Sequence, residues 1–422
     1  MASMCRMRTT VHAAGLLAVL FLIVPSSGCS KKASGAGQQV PGKPVETQTP
    51  NAKDQRPAFE GQTRAPYQTA GVPFDVRVVA RGLEHPWAVA FLPDGAMLVT
   101  ERPGRMRIVA PDGTLSAPLA GMPKVADHDQ GGLLDVALGP TFAQDKMVYF
   151  TFSEPRAGGN GTALARARLE REGVPRIDGT EIIWRMTPTL DSSKHFGSRI
   201  VFTPDGNLFV ALGERFELAG RRQAQQLDSA FGKIVRLRPD GSAAPDNPFV
   251  GRAGALPEIW SSGHRNIQAA TLHPKTKELW VIEHGARGGD EINVSRRGRD
   301  YGWPTISYGI EYSGGKIGEG LTQKEGMDQP LYYWDPVIAP SGAAFYDADL
   351  FPAWKGNLFV GALAGKHLAR LTLDGERVVG EERLLVDRAR IRDVRIGPKG
   401  SIYVLTDEDR AELLELVPTQ VH

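Results

Sequence analysis

The stretch that decides the fold runs from Arg199 to Arg215, RIVFTPDGNLFVALGER. Two apolar runs, Ile200–Phe202 and Leu208–Leu212, flank Thr203-Pro204-Asp205-Gly206-Asn207. Pro, Asp, Gly and Asn in that order make a tight turn, and short alternating apolar runs on both sides of a turn read as an antiparallel hairpin. The phrase recurs five more times: from Ala88 (AVAFLPDGAMLVTERPGRMRIV), Asp135, Ala269, Gly342 and Asp393 (DVRIGPKGSIYVLTDE). One hairpin cannot bury its apolar face alone. Six stacked radially can, so the expected fold is all-β: a six-bladed β-propeller of four-stranded antiparallel blades. A β-sandwich is the structural alternative, and the regular repetition favours the propeller.

Composition agrees. Among 422 residues, 48 are Gly and 30 are Pro, which suits many short elements joined by turns. The net charge of +2 comes from interspersed acids and bases, with no basic stripe to suggest a nucleic-acid partner.

The N-terminus has the pattern of an export signal. Arg6 and Arg8 precede an apolar run, Ala13–Val24, that is short for a bilayer span and ends in Pro-Ser-Ser-Gly-Cys29. Gly28-Cys29 resembles a lipoprotein cleavage junction, although Ser26 stands where such sites usually carry Leu. The chain has two cysteines, and Cys5 falls in the segment to be removed. An exported chain with one Cys has no internal disulfide partner, so lipidation would give Cys29 a use. Ser30 then points to the outer membrane of a Gram-negative host. The expected organisation is a signal peptide over 1–28, a disordered polar linker over 29–70 and a catalytic propeller over 71–422.

The informative residues lie in loops beside the inner strands, where a propeller presents its central channel. His195 directly precedes a strand and is a candidate general base. Arg265 and Asn266, in SSGHRNIQAATLHP, suit a planar anionic ligand with carbonyl oxygens. EHGARGGDEINV offers exposed main-chain carbonyls and carboxylates to a hard cation, without the spacing of an EF-hand. Arg390 and Arg392 stand two apart on a strand and face the same way, so an anion should lie between them; Asp393 could neutralise only part of the pair. Gln130 precedes two glycines in DHDQGGLLDVALGP.

Taken together, these segments resemble the soluble quinoprotein glucose/sorbosone dehydrogenase family, in particular its aldose sugar dehydrogenase branch, from about Gly82 to Leu416. The resemblance implies pyrroloquinoline quinone (PQQ) and Ca²⁺ on the channel face. It implies His195 as catalytic base, Asp290 as an acid near the substrate and Trp334 as a pocket aromatic. Gln130, Arg265, Asn266, Arg390 and Arg392 would contact the cofactor, and the carbonyls of Gly285 and Ala286 would ligate calcium. There are departures. Lys194 stands where glucose dehydrogenases have an acid before the base, which leaves the orientation of the imidazole open. The family's cofactor-contacting lysine falls at Ala364, with Lys366 two residues on as its substitute. The expected activity is oxidation of an aldose to a lactone, with electrons passing to a separate acceptor because the chain has no CxxCH haem motif. Oxidation of sorbosone or another alcohol or aldehyde is the enzymatic alternative, and a sugar-binding propeller without activity is the other.

Overall fold

The computed structural model describes residues 39–419. The export signal and Cys29 lie outside the described residues. The strands form six separate antiparallel sheets, five of four strands and one of three. Each sheet is a blade, and the innermost strands of blades 1 to 6 are Pro86–Phe91, Leu133–Leu138, Gly197–Phe202, Ile267–Leu272, Pro340–Phe345 and Ile391–Ile396. Each of these strands touches the next, and the sixth touches the first, so the ring closes. Blade 6 takes its outermost strand, Phe74–Leu83, from the start of the domain and its other three from the end. That exchange fastens the ring.

The quoted hairpin is the inner half of blade 3. Leu208 pairs with Phe202 and Ala211 with Arg199, around a turn in which Gly206 takes φ +82°. Asp205 accepts a hydrogen bond from the Asn207 N–H, which explains an Asp before the Gly. The apolar faces meet between blades. One such layer packs Ala88 and Leu98 of blade 1 against Phe150 and Phe152 of blade 2. Burying a phenylalanine of this kind contributes about 1.5–3 kcal/mol.

The central channel is filled by charge. Arg199 lies 3.2 Å from Asp135 and 3.1 Å from Asp393, while Arg395 reaches the same two acids at 3.1 and 3.0 Å. Asp393 is therefore spent in this network. It does not sit between Arg390 and Arg392.

The expected linker is ordered from Gln39 onward. Its backbone pairs with the outer edges of blades 4 and 5: Tyr333 N–H donates to Gln62 O (2.9 Å) and Glu381 N–H to Pro66 O (2.9 Å). Open sheet edges carry unpaired N–H and C=O groups, and a polar strap satisfies them without needing apolar periodicity of its own. Among the described residues, no helix is long and apolar enough to cross a membrane.

Candidate active site

A cavity of about 310 Å³ opens where the loops beside the inner strands converge, and all six blades line it. Trp87 and Arg102 come from blade 1, Gln130 from the approach to blade 2, and Phe196 and Gly197 from blade 3. Asn266, Gln268 and His284 come from blade 4, Ala339 and Leu363 from blade 5, and Arg390, Arg392 and Asp407 from blade 6.

His195 stands at the edge of this cavity, buried to 3 % exposure. The entry to its strand is irregular: His195, Gly197 and Ser198 all have positive φ. A Cβ on Gly197 would come within 2.3 Å of the Leu212 carbonyl carbon, so only glycine allows the two strands to approach. His195 N–H donates to Gln130 Oε1 (2.9 Å), and Nδ1 lies 2.6 Å from Glu214 Oε2. With Nδ1–H given to a carboxylate, Nε2 is left as the basic nitrogen. Glu214 thus supplies the orientation that Lys194 cannot; Lys194 turns instead toward Asp129 (3.7 Å) and the Phe216 ring. Burial lowers the His195 pKa below 6.5, Glu214 opposes that fall, and Arg265 and Arg215 add to it. Burial pushes the Glu214 carboxyl up, but His195 and Arg265 outweigh it, and its pKa ends below the usual value.

The opposite wall is cationic. Arg392 donates to Asp407 (2.7 Å) and to Gln268 Oε1 (3.2 Å), while Arg390 approaches the same Asp407 oxygen at 3.4 Å. Arg102 completes the group. Desolvation lowers its pKa, Asp407 and Asp129 raise it, and Arg392 and Arg390 lower it again. Burial pushes the Asp407 pKa up, yet Arg392, Arg102 and Arg390 hold it far below the usual carboxylate range. Three guanidiniums face two carboxylates, the buried Asp407 and the exposed Asp129, so positive charge is in excess. The Nε atoms of Arg102 and Arg392 are buried without a hydrogen-bond partner. An anion with several acceptor oxygens fits such a wall.

Arg265 lies over the Trp303 ring (5.1 Å) and donates to the carbonyls of His284 (3.0 Å) and Gly285. The Gly285 oxygen is therefore already engaged by a cation. Ala286 is buried beside it. Among the described residues, no group of three or more His, Cys, Asp or Glu side chains could hold a metal. Asp290 is not in contact with the cavity. It is buried and accepts from Gly285 N–H, Ile338 N–H and Ala339 N–H, each at 2.8 Å. Burial raises its pKa to about 7 against those three donors. It shapes the wall through Ala339, whose N–H it holds.

Two further expectations need correcting. Trp334 is 2 % exposed in the core between blades 4 and 5, its Nε1–H donating to Glu381 (3.1 Å), and it does not line this cavity. It lies on the outermost strand of its blade, Tyr332–Trp334, the strand farthest from the channel. Lys366 sits exposed at a turn with φ +48°, and Leu363 is the residue of that turn that lines the cavity. Arg102 of blade 1 is a further cation on the cavity wall.

The family model for glucose / sorbosone dehydrogenase matches residues 83–415. The chain belongs to the glucose/sorbosone dehydrogenase family. It is an oxidoreductase of that family, with 46 % identity to the aldose sugar dehydrogenase YliI of Escherichia coli K12 over 82 % of this chain and 93 % of the relative. A solved apo-form of soluble aldose sugar dehydrogenase from Escherichia coli superposes with a TM-score of 0.78 at 45 % identity, covering 82 % of this chain and all of the other. A PQQ-bound aldose sugar dehydrogenase from Streptomyces coelicolor superposes with a TM-score of 0.68 at 28 % identity, covering 83 % and 99 %.

Of the residues the sequence singled out in this sugar dehydrogenase, Gln130, Asn266, Arg390 and Arg392 line one cavity, and His195 and Arg265 flank it. Sequence reasoning missed Glu214, Arg102, Gln268 and Asp407. Hairpin register would have found two of them. In blade 3, Gly197 pairs with Leu212, so two residues further out His195 faces Glu214. In blade 6, Ile391 pairs with Thr406, so Arg390 faces Asp407.

Proposed function

We propose that this enzyme oxidises an aldose at its anomeric carbon to the lactone, with PQQ held in the cavity. The observation that carries the reading is the buried His195–Glu214 pair, 2.6 Å apart, beside a cavity whose wall holds Arg102, Arg390 and Arg392. A site that only binds sugar has no need of an oriented base beside a surplus of positive charge.

Arg102, Arg390 and Arg392 would hold the cofactor's carboxylates, with Gln130, Asn266 and Gln268 as neutral partners. When bound, PQQ supplies a quinone carbonyl that accepts the hydride from C1. His195 Nε2 takes the proton of the C1 hydroxyl as the C=O bond forms. Glu214 accepts Nδ1–H and stabilises the imidazolium that results. Arg265 stands where negative charge on quinone oxygens would be met. Ca²⁺ enters this proposal only as a competitor of Arg265 for the Gly285 oxygen, and no step here depends on it. The electrons then pass to an external acceptor.

The test is to add PQQ, with and without Ca²⁺, to purified apoprotein and follow dye reduction across a panel of aldoses, sorbosone and simple alcohols. Aldose-dependent reduction that requires PQQ is expected. Equal activity without quinone would overturn the proposal.

A further inference from the structure

We propose that the strap Gln39–Gln68 is a brace for the active-site loop Gly285–Asp290, with Asp335 as the positioning residue through which it acts. The strap lies N-terminal to the matched family region, 83–415. It does more than cover sheet edges. The Asp335 side chain is 4 % exposed, and every hydrogen bond its carboxylate accepts comes from the strap: Asn51 N–H (2.9 Å), Asn51 Nδ2 (3.1 Å) and Ala52 N–H (2.9 Å).

That carboxylate presses on the loop. A Cβ on Gly288 would stand 2.7 Å from Asp335 Oδ1, so a bare glycine backbone is needed there. The strap also holds the loop directly, because Arg287 Nε donates to Asn51 Oδ1 (3.1 Å). It reaches the layer behind as well. Gln55 Nε2 donates to Gly309 O (3.1 Å), and the neighbouring Ile310 exchanges both backbone hydrogen bonds with Arg287 at 3.0 Å. Two residues on, Tyr312 OH accepts from Arg265 Nη2 (3.2 Å). The loop so clamped carries the Gly285 oxygen that Arg265 holds and the Asp290 carboxylate that sets Gly285 and Ala339. Strap, loop and Arg265 thus form one contiguous network. Its effect on cofactor affinity rests on the quinone reading above; its effect on loop order does not.

The experiment compares wild type, Asn51→Asp and Asp335→Asn as full chains. Asn51→Asp spoils the contact by like-charge repulsion, and Asp335→Asn sets an amide N–H against one of the two strap backbone donors, Asn51 N–H or Ala52 N–H. Hydrogen exchange of the Gly285–Asp290 amides should rise about tenfold in each variant. PQQ should bind about tenfold more weakly, with turnover at saturating PQQ within about twofold. If a charged variant fails to fold, Asn51→Ala removes the same side-chain bonds without adding charge. Faster exchange in residues 39–68, with loop exchange and PQQ affinity unchanged in both single variants, would overturn the proposal. If wild type binds no PQQ, the quinone reading fails and loop exchange alone decides the brace.

Discussion

Replacing Glu214 with Gln probes the base without touching the cofactor wall. The variant keeps the side-chain shape but removes the charge 2.6 Å from His195 Nδ1. A buried charge-assisted hydrogen bond contributes about 1.5–3 kcal/mol. The carboxylate matters most as His195 becomes an imidazolium, so the loss should fall on the transition state. At 1.36 kcal/mol per decade this is roughly a 10- to 160-fold drop in kcat. The pH profile gives a second reading. Burial already lowers the His195 pKa, and Glu214 is the largest influence raising it. Without that charge the pKa falls further. Activity requires the neutral base and fails as pH drops through this pKa, so the acid limb should move to lower pH while the plateau falls. The assay is PQQ-reconstituted dye reduction at saturating aldose from pH 4 to 9, with PQQ affinity measured in parallel and expected to stay constant. Wild-type kcat with an unmoved acid limb would refute the orienting role of Glu214.

Arg392→Ala and Arg102→Ala should each weaken PQQ binding, the former by about 1.5–3 kcal/mol for a lost charge-assisted hydrogen bond, while exposed Lys366→Ala should leave it unchanged; titration by fluorescence quenching decides, and a large effect at Lys366 alone would restore it as the family lysine's substitute. His367 is 2 % exposed, and burial pushes its pKa down to about 3. The unfolded chain takes up that proton near pH 6.5 and the folded chain does not, so stability is unaffected above 6.5 and is lost below it, by about 2 kcal/mol between pH 7 and 5. The urea midpoint of His367→Gln should accordingly depend less on pH in that range. We also propose that Cys29 carries the lipid anchor of an exported protein. Cys29→Ser should then move the enzyme from the membrane to the soluble periplasmic fraction, and a wild type already soluble there would end that proposal.

The repeated hairpin made the propeller legible, because turn chemistry and alternation are local. The site was legible only in part. His195, Arg265, Asn266 and Arg390 stand out because they precede inner strands in the chain, and Arg392 because it lies at the start of one. Their partners Glu214 and Asp407 lie beyond the second strand of the same hairpins, where a register shift decides which residue faces which. Trp334 and Asp290 misled because residue type does not say which face of a strand or loop it occupies. The strap misled for a related reason: its order comes from edges supplied by blades 4 and 5, which composition does not record.

The most direct test of the central claim is the reductive half-reaction, with no external acceptor present. PQQ is titrated into wild type and His195→Ala, aldose is added, and the quinone spectrum is followed in time. The account predicts equal PQQ affinity in both proteins, with quinone reduction in His195→Ala slower by about 10²–10⁴-fold. Reduction at the wild-type rate in His195→Ala would contradict it.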